Sequence, residues 1–241
     1  MPKLMNPPSQ VLDHFNGGQG HIILETIAGP DVLKDKCRLY LKRTLEKGCS
    51  IGFHPHRGDE EIYYILSGKG RYTNKAGHWD AGPGDALFCP NGDSHSIVNT
   101  EDTDLVMIGL VIYDTDPVPV TKKEGTPMLE KLPPKIIEHP NGGKGRIILQ
   151  PIAGPEVLKD KCRLYVKCTL EKGCSMGIHQ HKGDGEIYYI LSGHGLYTDN
   201  DSTYEVKPGD ATFCKNGDRH GLENIGDEDL VFMGLIIYDN D

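Results

Sequence analysis

The stretch GCSIGFHPHRGDEEIYYILSG at residues 48–68 holds two histidines one residue apart, His54 and His56, and a glutamate five residues further on, Glu61. It returns as GCSMGIHQHKGDGEIYYILSG at 173–193, with His179, His181 and Glu186 in the matching places. A single histidine follows each set, His95 and His220, and every pair of equivalents lies 125 residues apart. So constant an offset marks a domain copied in tandem. Imidazoles and a carboxylate at these spacings suit one metal ion per copy.

Outward from these stretches, Asp13 to Asp114 aligns with Glu138 to Asp239 without a gap, with roughly two-thirds of the positions identical. Inside each copy the segments are short, rich in Ile, Val, Tyr, Leu and Phe, and separated by turn residues. Residues 38–45, 62–66, 71–73, 86–89 and 105–113 read as strands, divided by Ser67-Gly68-Lys69-Gly70, Gly82-Pro83-Gly84-Asp85 and Pro90-Asn91-Gly92-Asp93. A turn around 30–36 is the one helical candidate. The fold class is therefore all-β, with a sandwich or small barrel in each copy. Residues 115–135 carry Pro117, Pro119, Pro127, Pro133 and Pro134, which resist helix and strand alike. The expected organisation is an N-terminal barrel over 1–114, a proline-rich linker over 115–135 and a C-terminal barrel over 136–241.

On a strand, side chains two residues apart share a face, so His54 and His56 can aim at one point. Glu61 opens the next strand beyond the plausible turn Arg57-Gly58-Asp59, and His95 closes the set after a later turn. Three neutral imidazoles and one carboxylate suit a divalent Mn, Fe, Ni, Zn or Cu ion, with coordination positions left open for water or substrate. The same holds for His179, His181, Glu186 and His220.

The spacing resembles both motifs of the cupin family. Gly48, His54, His56, Glu61 and Gly68 match the first, and Gly84, Pro90, Gly92, His95 and Asn99 the second. The other copy repeats them with Gly173, His179, His181, Glu186 and Gly193, then Gly209, Gly217, His220 and Asn224; Lys215 stands where the motif has proline. The resemblance implies a bicupin of two tandem double-stranded β-helix, or jelly-roll, barrels. It also implies one divalent transition metal per domain, and a metal-dependent enzyme acting on a small carboxylate or keto/hydroxy substrate. Dioxygenases, decarboxylases, isomerases and lyases share this ligand set, and the alternative is a non-catalytic cupin that binds or senses a small molecule. Oxalate chemistry in the family pairs the metal with an arginine shortly before the first histidine. Ile51 and Met176 stand in that neighbourhood and no glutamate-bearing lid insertion is seen, which disfavours oxalate.

Other candidates surround the ligands. Arg38, Tyr40 and Lys42 alternate along one strand face, as do Arg163, Tyr165 and Lys167, opposite Leu39, Leu41 and Leu45. That polar face either lines the barrel mouth, where its cations suit an anionic substrate, or lies in solvent. Glu60, next to Glu61, is a candidate extra base in the first domain alone, since Gly185 replaces it in the second. Tyr63 and Ile65 share parity with Glu61 and are expected to line the cavity.

Bulk properties narrow the partners. With 35 acidic against 26 basic side chains and a formal charge of −9, the chain offers no basic stripe for a phosphate backbone, so nucleic acid is not expected. No segment approaches the roughly 20 apolar residues of a membrane span, and the first ten residues do not read as a signal, so a cytoplasmic protein is expected. Six of the seven cysteines fall in repeat-related pairs and Cys168 is the odd one, which favours free buried thiols over disulfides. Homo-oligomerisation is left open, because two linked barrels reproduce in one chain the pairing that single barrels achieve as dimers.

Overall fold

In the computed structural model, which describes residues 8–114 and 126–239, strands begin and end where the β-branched and aromatic runs meet Gly, Pro and Asp. The first unit holds β1 (Ser9–Asp13), β2 (His21–Ala28), β3 (Cys37–Leu45), β4 (Ser50–Pro55), β5 (Asp59–Ser67), β6 (Gly70–Asn74), β7 (Gly77–Ala81), β8 (Ala86–Cys89), β9 (Ser94–Asn99) and β10 (Leu105–Tyr113). A single helical turn, α1 (Pro30–Leu33), opens on a proline between β2 and β3. The second unit repeats the series as β11 (Lys135–Glu138), β12 (Arg146–Pro151), β13 (Cys162–Leu170), β14 (Ser175–Gln180), β15 (Asp184–Ser192), β16 (Gly195–Asp199), β17 (Ser202–Val206), β18 (Ala211–Cys214), β19 (Arg219–Asn224) and β20 (Leu230–Tyr238), with α2 (Pro155–Leu158) as its helical turn. The strands read from sequence are all present, and β1, β2, β4, β7 and β9 join them in the first unit.

Each unit consists of two antiparallel sheets. In the first, a six-stranded sheet in the order β1-β2-β3-β10-β5-β8 accompanies a four-stranded one in the order β4-β9-β6-β7. The second unit follows the same orders with β11-β12-β13-β20-β15-β18 and β14-β19-β16-β17. The apolar core of the first unit contains Leu41, Leu45, Tyr63, Ile65, Tyr72, Leu87, Ile97 and Met107; that of the second contains Val166, Leu170, Tyr188, Ile190, Tyr197, Leu222 and Phe232. Leu41, Leu45, Tyr63 and Ile65 reach it from alternate positions of β3 and β5, as period-2 side-chain placement requires.

Part of the stretch read as linker belongs to a sheet margin. Phe88 donates its amide to the Pro127 carbonyl, Leu129 donates to Ala86, and Met128 bridges Leu87, so residues 126–131 run beside β8. Those contacts satisfy the otherwise open edge of β8. The described residues accordingly divide into units spanning 8–131 and 132–239. Residues 115–125 of the expected linker lie outside the described residues. All seven cysteines are buried free thiols.

Candidate metal centres

The site is assembled by cross-strand register. Between β4 and β9 the pairing runs Ile51 opposite Ile97 and then His54 opposite His95, so one extra residue is accommodated at Gly52 and Phe53. This bulge re-aims the strand and sets His54 directly across from His95. It also needs glycine: a Cβ on Gly52 would run into the Asn16 carbonyl oxygen. Met176 opposite Leu222 followed by His179 opposite His220 repeats the device.

His54, His56, Glu61 and His95 bring one ligand atom each into a group lying within 4.8 Å of one another, and so do His179, His181, Glu186 and His220. In the first group His95 Nε2 lies 3.0 Å from His56 Nε2 and 3.2 Å from His54 Nε2. Glu61 Oε2 is 3.2, 3.4 and 4.0 Å from the Nε2 atoms of His95, His56 and His54. In the second group the corresponding separations are 3.0 and 3.1 Å between rings, and 3.0, 3.3 and 3.8 Å to Glu186 Oε2.

The far sides of the rings explain why these atoms need a cation. His54 Nδ1 donates to the Gly52 carbonyl at 2.8 Å and His56 Nδ1 to Asp59 Oδ1 at 2.7 Å. His179 and His181 do likewise to Gly177 (3.0 Å) and Asp184 (2.7 Å). A neutral ring protonated at Nδ1 carries its lone pair on Nε2. In two rings of each set the neutral form thus turns an Nε2 lone pair toward the carboxylate oxygen, and a positive centre at that point, a proton on His56 or a divalent metal, satisfies these atoms together. Nitrogen-rich donors with one oxygen suit Mn, Fe, Ni, Zn or Cu better than Mg or Ca.

Burial and charge reinforce this reading. His56, Glu61 and His95 are at most 2% exposed, whereas the His54 side chain is 17% exposed and marks the open side. Burial alone would raise the Glu61 carboxyl, but the Arg43 guanidinium and hydrogen bonds from His56 and His95 outweigh it and hold it well below the usual range. Glu186 is held low against burial by hydrogen bonds from His179, His181 and His220. For His56, burial opposes the charge, yet the hydrogen bonds to Asp59 and Glu61 prevail and push the ring up to about 9. Burial depresses His95 to about 4. Tyr63 stacks on His95 with centroids 4.9 Å apart, and Tyr188 on His220 at 5.0 Å, whereas Ile65, expected beside Tyr63 at the cavity, packs in the apolar core.

Matching segments of this chain, 42–113 and 166–238, fit the cupin domain, one in each unit. The chain belongs to the cupin family. Over 118 residues it is 39% identical to an oxalate-binding protein of Thermotoga maritima, a match covering 48% of this chain and 98% of that protein. Two solved structures share its fold along nearly its whole length. Protein Ylba of E. coli is 18% identical, covering 99% of this chain and 91% of its own, with a TM-score of 0.70. The oxalate decarboxylase of Bacillus subtilis, a protein with Mn(II) centres, is 21% identical, covering 100% and 78%, with a TM-score of 0.64. This cupin is a metal-binding protein with two His/Glu clusters, and no helix among its described residues is long and apolar enough to cross a membrane.

Around the two clusters the cupin departs from several expectations. The Arg38–Lys42 face does not form the interior of the barrel, because the opposite face, with Leu41 and Leu45, packs the core. Lys42 pairs with Glu25 across β2 and β3 at 2.6 Å, and Lys167 lies opposite Gln150 on β12. Arg38 Nη1 reaches Asp59 Oδ2 at 3.0 Å and Arg163 Nε reaches Asp184 Oδ2 at 2.9 Å, so these arginines act on the aspartates behind His56 and His181. Glu60 is fully buried, and strand alternation puts it on the face of β5 opposite Glu61, away from the cluster.

Sequence reasoning passed over Asp59 and Asp184, and also Arg43. The aspartates stood in a presumed turn, yet each follows its histidine by three residues in both copies. Arg43 shares parity with Leu41 and Leu45, and a cation in an apolar alternation is itself a signal. It is 4% exposed and donates from Nη1 to Glu61 Oε1 at 2.8 Å. Its counterpart is Cys168, whose thiol burial holds well above its ordinary range. In the second unit a cavity of about 390 Å³ reaches His179, His181 and Glu186, walled by Ile147, Leu149, Leu164, Met176, Tyr188 and Ile236, with Arg163, Gln180 and Cys168 as polar or soft elements.

Proposed function

We propose that His54, His56, Glu61 and His95 hold one divalent transition metal, that His179, His181, Glu186 and His220 hold another, and that the chain is a metal-dependent enzyme for a small carboxylate. The observation carrying this is the convergence of three Nε2 atoms and one carboxylate oxygen, with the Nδ1 atoms of two rings in each set hydrogen-bonded elsewhere. A bound ion supplies Lewis acidity toward a carboxylate oxygen. The protein fixes ring orientation through Asp59 and Asp184, keeps water from the buried ligands, and leaves the His54 and His179 sides open for the substrate.

Oxalate is the leading substrate class. The Thermotoga maritima relative bears that ligand in its name, and Mn is supported as the metal by the Mn(II) centres of the Bacillus subtilis enzyme. These outweigh the objection drawn from Ile51 and Met176, since Lewis-acid chelation alone can hold a small dicarboxylate. Binding without turnover is the second reading, and one observation favours it: Glu186 is the one carboxylate lining the described cavity, so no second carboxylate stands there to move a proton. Incubation of Mn-loaded protein with oxalate, following loss of oxalate and release of CO2 and formate, separates the two. Turnover supports the enzyme; tight binding with no product overturns it in favour of a binding protein. A protein that binds no small carboxylate overturns both. The chain's location in the cell is proposed to be cytoplasmic, in keeping with its free thiols.

A further inference from the structure

The two clusters have matching inner atoms but unlike surroundings, and the difference is one of charge. On β3, Arg43 crosses the face of β10 to reach Glu61 on β5, and Gly109 gives it room: a Cβ there would lie 2.5 Å from Arg43 Nη1. On β13, Cys168 occupies the equivalent position, and a Cβ on Gly234 would meet its Sγ at 3.5 Å and Glu186 Oε1 at 3.8 Å. No guanidinium reaches Glu186 among the described salt bridges. A second substitution acts in the same direction. Asn74 lies opposite His95 in the β6–β9 register, whereas Asp199, 5% exposed, lies opposite His220 between β16 and β19. The Arg38–Asp59 and Arg163–Asp184 pairs are common to both units and cancel in the comparison. Glu60, whose counterpart is Gly185, stands across β5 from the cluster.

Resting on the metal reading above, we infer that Arg43 makes the N-terminal centre a site for small dianions, while the C-terminal centre, with Cys168 and Asp199, is suited to monoanions or neutral ligands. A divalent ion with one glutamate and Arg43 carries about two net positive charges, against about one where a thiol replaces the guanidinium. A dianion brings the first centre to neutrality but leaves the second with an uncompensated buried negative charge, which is costly. Arg43 also holds Glu61 Oε1, while Oε2 faces the three histidine Nε2 atoms. Arg43 is thus a positioning and specificity residue, acting through Glu61 and through its charge.

The test uses the full chain loaded with Mn2+ in two backgrounds, His179→Ala/His181→Ala, which keeps the N-terminal cluster, and His54→Ala/His56→Ala, which keeps the C-terminal one. Calorimetric titration with oxalate and with acetate reads the affinities. Oxalate is expected to bind the N-terminal cluster at least about tenfold more tightly than the C-terminal one, with acetate differing by less than about threefold. Arg43→Cys in the first background should remove the oxalate preference, and Arg43→Lys should keep most of it. Equal oxalate affinities in the two backgrounds overturn the inference while leaving the metal reading intact, and that comparison does not depend on an Arg43 variant folding. A preference that survives in a folded Arg43→Cys chain also overturns it. Failure of both backgrounds to retain Mn2+ overturns the metal reading and the inference together.

Discussion

At the scale of single residues, the chemistry is set by what lies behind the histidines. Without metal, His56 is protonated up to about 9, so metal uptake near neutral pH must displace that proton. Calorimetry of the N-terminal cluster in buffers of different ionisation enthalpy should therefore show proton release at pH 7 that fades above about 9, with metal affinity rising over the same interval. The sign for stability runs the other way. The folded value exceeds the ordinary 6.5, so His56 stabilises the metal-free fold fully below 6.5 and that contribution is lost as pH rises through about 9. Gly109→Ala should cost about 1–3 kcal/mol in urea unfolding, because the guanidinium it would strike is fixed by Glu61, and Gly234→Ala should cost less. The ligand residues were legible because metal chemistry demands fixed donor spacings. The alternation marked Arg43 as unusual but not its partner, since the fold alone reveals that it spans β10 to meet Glu61; nor was the pairing of Arg38 with Asp59 legible, which depends on where β5 starts.

At the scale of strands, register decides whether the donors meet. The long β10 and the exact extent of β8 follow from unbroken apolar runs bounded by turn residues, and both were readable. The bulge at Gly52 was not, because an extra residue in a strand leaves no period in the sequence. Asn99 and Asn224, matched to the second motif, prove to be staples of the strand ends. Asn99 Nδ2 donates to the Leu45 and Thr103 carbonyls, and its Oδ1 accepts from the Glu101 amide; Asn224 repeats this with Leu170, Glu228 and Gly226. Asn99→Ala leaves the buried Leu45 carbonyl without this donor and should destabilise the first unit by about 1–3 kcal/mol, read by urea unfolding, with the ligands themselves untouched.

At the scale of the whole molecule, duplication gives two complete donor sets on one chain, and their repeated sheet orders show how little the copied fold has changed. The repeat offset made the two-barrel organisation legible, whereas the pairing of residues 126–131 with β8 was hidden by prolines that read as linker. Among the positions where the copies differ, two lie beside the clusters, Arg43 against Cys168 and Asn74 against Asp199. Because metal binds the folded sites, Mn2+ at a hundredfold excess over its Kd should stabilise each occupied site by about 2.7 kcal/mol and raise Tm in differential scanning calorimetry. The most direct test is the transition-metal content of the purified full chain after metal-replete expression. The account predicts about two ions per chain, about one each for His56→Ala and His181→Ala, and none for the double variant. A content below one ion per chain, or single variants that keep both ions, would contradict it.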